Sequence, residues 1–515
     1  MQELAKPALE SVMSDEIAFH PAKFKNTYRH WMANIKDWCI SRQLWWGQRI
    51  PAWYDQEGGL YVANTSDAAH AQYKAKKPEL AAKQPVLRQD DDVLDTWFSS
   101  WLWPIQVFGW NEAPGNKELE YYYPTNTLVT APEIIFFWVA RMIMAGYEFI
   151  GKKPFDKVYF TGIVRDKQGR KMSKSLGNSP DLLQMIEDSG ADVVRFSVMI
   201  SSPAGNDLLF DESQIEQGRN FSNKMWNAMK LVKGWGSRCE DGLEDSQLKF
   251  ALDWMEARLA TVSQEVTEMM ADFRLSEGLK TIYSLIWNDF CAWYLEWVKP
   301  GMDQPISTHV YERTVTIYER LLQLLHPYMP FITEDIYHIL RERQAGDDLI
   351  VKQLPVYETP DAEILKGGAM LQELITAIRD TRNKNLLKPK DTIKLWIDTR
   401  HHAFYESVQD ILRRQVNAEH LGHTDAAKPG SISLVVQTDK LYIEAAAATI
   451  DTGAQKEQMQ KDIVYLQGFI ASVSRKLDNE KFVANAKPEV IENERKKRAD
   501  AEAKIATLQE SLAAM

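Results

Sequence analysis

The sequence predicts an α/β plus all-α chain, in which an α/β region precedes a mainly helical region and a C-terminal pair of antiparallel helices. Val158–Val164 is a β-branched and aromatic run typical of a buried strand, and it follows an apolar helical segment at Ile134–Met144. Between residues 282 and 297 the apolar side chains repeat every three or four positions, as on one helix face. From Met459 to Leu477 they alternate spacings of four and three, which is a heptad pattern.

Composition and size indicate a multi-domain globular protein. The 515 residues are 45% hydrophobic and 26% charged, which excludes a disordered or collagen-like chain and suggests about three to five domains. The net charge of −11 argues against non-specific coating of nucleic acid but allows a local basic face. The longest apolar stretch stops at Arg141, well short of a membrane span, so we predict no membrane partner.

The three cysteines, Cys39, Cys239 and Cys291, are far apart and form no Cys-x-x-Cys pair. This spacing disfavours a disulfide framework and a zinc ribbon, and it fits the reducing cytoplasm. We therefore predict a cytoplasmic protein with no structural metal.

The α/β region begins with residues 1–35, which start in the middle of a helical pattern and resemble the exit of a preceding unit. A tryptophan-rich stretch at 37–54 follows, and then a polar, Ala- and Lys-rich segment at about 55–89 that we interpret as a surface insertion. Tyr122–Val129 is typical of a strand.

A short lysine loop carries the strongest chemical signal. Lys171, Met172, Ser173, Lys174 and Ser175 lie between the predicted buried strand and a helix start. Two lysines on a loop can neutralise a triphosphate, while serine hydroxyls and backbone amides add hydrogen bonds. Such a loop can also close as charge builds on a departing pyrophosphate.

The elements after this loop are mostly helical. Ser179 can cap a helix, Pro180 suits its first position, and Asp181 suits the positive end of its dipole. Residues from about 215 to 345 and 370–384 are predicted helical. The segment 391–450 mixes helices with two strand-like runs, Ile393–Ile397 and Ile432–Val436.

Three rival patterns carry less weight than the lysine loop. Gly146–Lys153 resembles a phosphate-binding loop but ends in lysine and proline where a Ser or Thr and a helix are required. A cluster of four aspartates is better explained as a surface turn than as a metal site. A group of four histidines lacks the spacing of zinc ligands. The cluster residues are Asp90, Asp91, Asp92 and Asp95, and the histidines are His401, His402, His420 and His423.

The lysine loop resembles the KMSKS signature of the class I aminoacyl-tRNA synthetases. Four strings resemble more narrowly the valine-specific bacterial members of that family: residues 38–54, 92–104, 128–149 and 169–178. The resemblance extends over essentially the whole chain and includes the C-terminal arm. Isoleucine-specific enzymes are close relatives, but they usually end in a cysteine-rich zinc module that this sequence lacks.

The resemblance implies a partial Rossmann-type catalytic domain, a helical-bundle anticodon-binding domain and a C-terminal antiparallel coiled-coil arm. It implies the following division: 1–35, exit of an editing insertion; 36–200, C-terminal half of the catalytic domain; 201–245, connector; 246–375, anticodon-binding domain; 376–450, small α/β subdomain; 454–515, tRNA-binding arm.

The implied activity is ATP-dependent activation of valine and its transfer to tRNA(Val), with ATP bound together with Mg²⁺ and the parent enzyme a monomer. Catalysis and ATP binding fall to the lysine loop, with Gly162 and Glu133 as further candidates for the nucleotide. The valine pocket is assigned to Trp46, Val93 and Trp97. The tRNA candidates are Arg219, Asn220 and Phe221 at the bundle entrance, and Lys487, Arg495, Lys496, Lys497 and Arg498 on the arm.

One departure limits these expectations. The family's first signature, a proline-rich strand followed by a His-x-Gly-His helix start, is missing, because His420–His423 matches its letters in the wrong context. Most of the editing domain is also missing. The chain alone is therefore expected to be inactive, and two readings stay open beside the enzyme itself: a non-catalytic tRNA-binding fragment, or one half of a split synthetase with an N-terminal half in trans. An isoleucine–tRNA ligase is the further alternative.

Overall fold

The computed structural model describes residues 1–78, 86–111, 115–202, 204–211, 213–426, 428, 430–445, 452–486 and 488–514. It forms two compact units. The first contains Met1–Asp188, Ser197–Ile215 and Glu268–Gly278, and the second contains the intervening segments and the rest of the chain. These two units do not resolve the six predicted domains, which stay predictions.

The strands, in chain order, are β1 (Ala18–His20), β2 (Ser41–Arg42), β3 (Ala52–Tyr54), β4 (Leu60–Val62), β5 (Arg88–Gln89), β6 (Val93–Leu94), β7 (Thr125–Thr130), β8 (Phe155–Phe160), β9 (Val164–Arg165), β10 (Leu208–Leu209), β11 (Cys239–Glu240), β12 (Ile306–Ser307), β13 (Ile393–Asp398), β14 (Ala418–His423), β15 (Ile432–Val436) and β16 (Asp439–Glu444).

The α-helices are α1 (Gln2–Met13), α2 (Phe24–Ala33), α3 (Ser66–Lys76), α4 (Thr96–Ser100), α5 (Trp103–Gln106), α6 (Lys117–Tyr122), α7 (Ala140–Ala145), α8 (Leu182–Ser189), α9 (Ala191–Ile200), α10 (Ser213–Trp235), α11 (Lys249–Ala271), α12 (Leu275–Ser284), α13 (Leu295–Val298), α14 (Thr308–Leu325), α15 (Pro330–Leu340), α16 (Ala362–Lys384), α17 (His402–Val416), α18 (Thr452–Leu477), α19 (Glu480–Asn485) and α20 (Pro488–Ala514).

Shorter helical segments join these elements. Ile135–Val139, Gly146–Ile150 and Leu285–Tyr294 are π-helical, and Pro132–Ile134, Lys174–Leu176, Gly236–Arg238, Ser246–Leu248 and Leu349–Val351 are 3₁₀ turns.

A parallel sheet in the order β1-β8-β7 forms the core of the first unit. Val158 on the central strand pairs in register with Phe19 and with Leu128. Each of these three side chains is at least 94% buried, and α1, α2 and α7 contribute further apolar side chains to the same core. The burial of such side chains, at about 1.5–3 kcal/mol each, explains why the chain forms a sheet here.

Two strand boundaries in this sheet differ from the prediction. The predicted strand Tyr122–Val129 starts only at Thr125, because Asn116 caps the helix α6 by accepting a hydrogen bond from the amide of Leu119 at 3.1 Å. The predicted strand Val158–Val164 stops at Phe160. The run Val164–Arg165 instead pairs in parallel with Leu208–Leu209.

The segment predicted as a surface insertion forms a small structure with its own core. Strands β4, β3 and β5 build an antiparallel sheet, and α3 lies between β4 and β5 in the chain. Tyr61, Ala69 and Tyr73 are buried between sheet and helix. Residues 79–85 of this segment lie outside the described part of the chain.

The second unit begins with a helical bundle whose core is rich in aromatic side chains. Trp254 and Trp297 pack with their ring centroids 4.6 Å apart, and Tyr318 donates a hydrogen bond of 2.6 Å to the carbonyl of Met225. The predicted apolar stripe between residues 282 and 297 faces this core, although its middle is π-helical rather than α-helical.

A four-stranded sheet in the order β14-β13-β16-β15 follows the bundle, together with α16 and α17. The two strand-like runs of the sequence correspond to β13 and β15, whereas the prediction missed β14 and β16. Strand β14 is the parallel edge strand and contains the His420–His423 string, so this string starts no helix.

The C-terminal segment is a pair of packed helices, α18 and α20, joined through α19. Met459 and Ile463 on α18 are buried against Leu508 on α20. Lys476 on α18 also forms an ion pair with the buried Glu494 on α20, at 3.4 Å. The two predicted helices are therefore present, and their description as a coiled coil stays a prediction.

Candidate functional site

The lysine loop leaves the sheet end through a turn that Asp166 organises. The Asp166 carboxylate accepts hydrogen bonds from the backbone amides of Gln168, at 3.0 Å, and Arg170, at 2.8 Å. It also accepts hydrogen bonds from the side chains of Asn178 and Arg170. The Asn178 amide, followed by Arg170, lowers the pKa of Asp166 to about 2. The carboxylate is therefore ionised at neutral pH and fixes the turn.

Asn178 closes the other end of the loop. Its side-chain oxygen accepts a hydrogen bond from the Ser173 amide at 2.9 Å, and its amide nitrogen donates to the Lys171 carbonyl at 3.3 Å. Ser173 and Ser175 place their hydroxyl oxygens 3.1 Å apart. Lys171 is exposed, while the Lys174 side chain lies outside the described part of the structure, although its backbone forms a 3₁₀ turn.

Ion pairs attach the start of the loop to the segment 204–211. Arg165 pairs with Asp207, and Lys167 Nζ lies 3.1 Å from an Asp211 carboxylate oxygen. Asp207 also accepts a hydrogen bond from the amide of Ile163 at 3.1 Å. The Arg165 guanidinium lowers the pKa of Asp207, so this contact stays charged near neutral pH.

Gly162 is required by close backbone packing. A Cβ atom on Gly162 would lie 1.7 Å from the carbonyl oxygen of Asn206, which is closer than two non-bonded atoms can approach. The side of Gly162 that a side chain would occupy is therefore filled by protein. Glu133, by contrast, is exposed in the turn after β7, at the carboxyl end of a parallel strand, where ligands of such sheets bind.

The three predicted valine-pocket residues differ in their surroundings. Val93 is buried and packs against Gly47, and Trp97 is half-buried with its ring 6.0 Å from that of Phe137. The Asp95 side chain caps the helix of Trp97 by accepting a hydrogen bond of 2.7 Å from the Trp97 backbone amide. Trp46 is 90% exposed, so the part of the pocket that it would line is open in this chain.

Phe221, a predicted tRNA contact, is buried in the bundle core and does not face solvent. Its side chain is 0% exposed and packs between Phe196 and Tyr283, with ring centroids 5.3 and 4.9 Å away. The residue is part of the bundle core because it lies on the inner face of α10. Arg219 and Asn220 are exposed on the same helix, and Arg219 donates a hydrogen bond to Ser189 at 3.0 Å.

The basic run on the arm is partly neutralised within the arm itself. Lys497 lies 2.7 Å from Glu494, while Arg495 and Arg498 each lie 3.8 Å from an acidic neighbour. Among the described residues Lys496 is exposed and makes no ion pair. Lys487 lies outside the described residues.

The rival clusters have partners within the chain. Arg49 and Arg88 pair with Asp91, and Arg42 pairs with Asp95, which is buried rather than on the surface. In the described ranges, one group of possible metal ligands has its side-chain atoms within 4.8 Å of one another. It consists of Glu334, His338 and Asp348. These three side chains already hydrogen-bond to each other or to the backbone, which accounts for their proximity.

The sequence prediction missed Asp166 and Asn178. The pattern Asp166-Lys-Gln-Gly169 is typical of a turn with Asp first and Gly last, and this was the available signal. The role of Asn178 had no local signal, because its partner Asp166 is 12 residues away. Among the described residues, no helix is long and apolar enough to cross a membrane.

Comparisons with known proteins agree along the chain. The family model "tRNA synthetases class I (I, L, M and V)" matches residues 1–211. "Anticodon-binding domain of tRNA ligase" matches 253–397, and "Valyl tRNA synthetase tRNA binding arm" matches 451–515. Proteins named valine–tRNA ligase from Porphyromonas gingivalis and Parabacteroides distasonis are 50% and 49% identical over 99% and 100% of this chain.

The chain is similar to valine–tRNA ligases along its whole length. It spans 58% of the length of these two relatives, and a valine–tRNA ligase of Chlorobaculum tepidum is 39% identical with the same coverage. A solved methionyl-tRNA synthetase of Mycobacterium tuberculosis, in complex with methionyl-adenylate, is similar at 17% identity and a TM-score of 0.49. That similarity covers 71% of this chain and 67% of the other.

Proposed function

We propose that this chain is part of a valine–tRNA ligase that activates valine with ATP and transfers it to tRNA(Val). The observation that carries the proposal is the lysine loop, held by Asp166 and Asn178 beside the end of a parallel sheet. The names of the relatives support valine as the amino acid. The terminal arm supports the valine enzyme over an isoleucine–tRNA ligase.

In the proposed reaction, the valine carboxylate attacks the α-phosphate of ATP in line with the departing pyrophosphate. Lys171 and Lys174 would stabilise the charge on the pyrophosphate, and Met172, Ser173 and Ser175 would shape the loop. Mg²⁺ would arrive with ATP as part of the substrate. The Glu133 carboxylate would accept hydrogen bonds from the ribose hydroxyls, and the backbone at Gly162 would face the adenine. No nucleophilic side chain is needed.

Valine would bind against Val93 and Trp97, with Trp46 closing the pocket from its exposed position. Aliphatic and indole walls suit a branched apolar side chain. For the tRNA, exposed Arg219 and Asn220 would contact the anticodon region. The arm would lie against the tRNA elbow through Arg495, Lys496, Lys497 and Arg498.

A second candidate is a tRNA-binding half that needs an N-terminal half in trans. Among the described residues β7 lies at the edge of its sheet, and Val129 on this strand is 59% exposed. An unpaired edge strand is a template for a further strand. A partner that supplied this strand could also complete the nucleotide site.

The test is valine-dependent ATP–pyrophosphate exchange by the purified chain, with isoleucine and threonine as control amino acids. The assay is repeated after adding the part of the P. gingivalis relative that this chain does not match. Valine-dependent exchange, with or without the added part, would support the proposed ligase activity if the K171A variant lacks it. Exchange that occurs only with the added part would support the split form. Binding of tRNA(Val) without exchange in both formats would overturn the catalytic role and leave a tRNA-binding fragment. Exchange driven by isoleucine would overturn the valine assignment.

A further inference from the structure

A hydrogen bond between two residues that flank the lysine loop joins its two ends. Asp166 precedes the loop and Asn178 follows it, and the Asn178 amide nitrogen lies 2.9 Å from an Asp166 carboxylate oxygen. Through its other contacts Asn178 binds the Ser173 amide and the Lys171 carbonyl. A single side chain therefore connects the loop backbone at Lys171 and at Ser173 to the turn at Asp166.

Two glycines in left-handed conformations flank the same segment. Gly169 has φ +77° and Gly177 has φ +62°, and an added Cβ at either position would meet no atom within 4 Å. Glycine is required there by the backbone conformation and not by crowding. Among the residues between these glycines, Arg170, Lys171, Ser175 and Leu176 are exposed. The contacts of the Asp166–Asn178 pair therefore limit the conformations of a segment with little burial to hold it.

We propose that Asp166 and Asn178 are positioning residues that hold the lysine loop in the conformation needed to stabilise the departing pyrophosphate. This inference rests on the proposed function for its chemical purpose. The structural part, that the pair orders the loop, stands on the contacts alone. The pKa of Asp166 agrees with the geometry, because the carboxylate stays ionised and keeps accepting hydrogen bonds at neutral pH.

A reciprocal exchange of the two side chains separates positioning from general stability. N178D places a second carboxylate against Asp166 and breaks the pair at neutral pH. Adding D166N restores an amide–carboxylate hydrogen bond with the opposite direction. Q168E is the matched control, because it adds the same charge to the same turn but leaves the pair intact.

The first measurement is hydrogen exchange of amides 171–176 in the isolated chain, without substrates. We expect N178D to accelerate this exchange at least tenfold and Q168E to resemble the unaltered protein. The D166N/N178D double variant should recover part of the protection, because it restores the pair but not the hydrogen bonds to Arg170 Nε and to the Lys171 carbonyl. In N178D the protection should return as pH falls below about 5, because two adjacent carboxylates then share a proton. Unchanged exchange in N178D, or no recovery in the double variant, would overturn the proposal.

The second measurement uses whichever format supports valine-dependent exchange of pyrophosphate. We expect N178D to lower kcat by about 10²-fold with little change in KM for ATP, since the loss is one of orientation, and we expect the double variant to recover part of this loss. Equal losses in N178D and the double variant would overturn the positioning role. If no format supports exchange of pyrophosphate, the proposed function fails, while hydrogen exchange still decides whether the pair orders the loop.

Discussion

Tyr405 on α17 donates a hydrogen bond of 2.8 Å to the carboxylate of Asp439, at the start of β16, and both side chains are 1% exposed. Thr399 donates to the other carboxylate oxygen at 2.7 Å. Burial, and next the Asp439 charge, raise the pKa of Tyr405 well above its usual range, so the phenol remains a donor in alkaline solution. This buried group ties the helix to the four-stranded sheet.

Removing that phenol should destabilise the sheet. We expect Y405F to lower the free energy of unfolding of this region by about 1.5–3 kcal/mol, because a buried carboxylate loses a charge-assisted hydrogen bond. Hydrogen exchange of β13 and β16 in increasing urea measures the change. Y465F, at a tyrosine that is 73% exposed, is the control. Equal exchange in the two variants would contradict the prediction.

Phe221 and Arg219 should give opposite phenotypes. F221A is expected to cost about 3–5 kcal/mol of stability because it leaves a cavity in the bundle core. F221L should keep the fold and bind tRNA(Val) as the unaltered chain does. R219A should fold normally, weaken the binding and reduce its salt dependence by about one unit of slope. Urea unfolding measures the stability of F221A. Fluorescence anisotropy at several salt concentrations measures the tRNA binding of F221L and R219A, and a binding defect in well-folded F221L would indicate that Phe221 contacts the tRNA.

The Lys476–Glu494 contact predicts a pH dependence of the arm. The hydrogen bond from Lys497, and next the charge of Lys476, lower the pKa of Glu494. The stabilisation should therefore be complete above the ordinary glutamate pKa, about 4.3, and be lost as pH falls through the lowered value.

Hydrogen exchange of residues 488–500 between pH 7 and 3 follows this loss. We expect E494Q to be less protected at pH 7 and to lack the transition. E492Q removes a carboxylate that is 76% exposed, and it should behave as the unaltered chain does. A transition that persists in E494Q would assign it to another group.

The three cysteines should react with alkylating agents in a fixed order. Cys39 is exposed, and a hydrogen bond with Ser41 lowers its pKa, whereas burial raises the pKa of Cys239 and raises that of Cys291 to about 12. Because the thiolate is the reactive form, Cys39 should react first and Cys291 last at pH 7.5. Mass spectrometry of timed iodoacetamide samples measures the order, and labelling in urea should make the three rates similar.

The sequence predicted the elements whose pattern is local and missed those that depend on distant contacts. The heptad positions Met459, Ile463 and Val473 are buried as expected. The cap of α8 was predicted two residues too early. The Asp181 carboxylate, not the Ser179 hydroxyl, accepts hydrogen bonds from the backbone amides of Leu183 and Gln184.

Strand β14 was missed because His420, Gly422 and His423 disfavour strands on their own. Only pairing with β13 makes this segment extended, and Gly422 lies against Trp396, where a Cβ would come within 2.8 Å of the indole. Phe221 was misplaced for a related reason. An aromatic side chain on an amphipathic helix can face a ligand or the core, and only the packing of Phe196 and Tyr283 decides which.

The division of the chain between the two compact units has a consequence for cleavage. The segment Glu268–Gly278 belongs to the first unit, although the residues on both sides of it belong to the second. Neither unit is therefore a continuous stretch of sequence. A single cut near residue 215 separates the first unit from Glu268–Gly278 and the second unit from Ser189–Phe196, so neither product contains a whole unit. A nicked chain should accordingly stay associated until it is denatured.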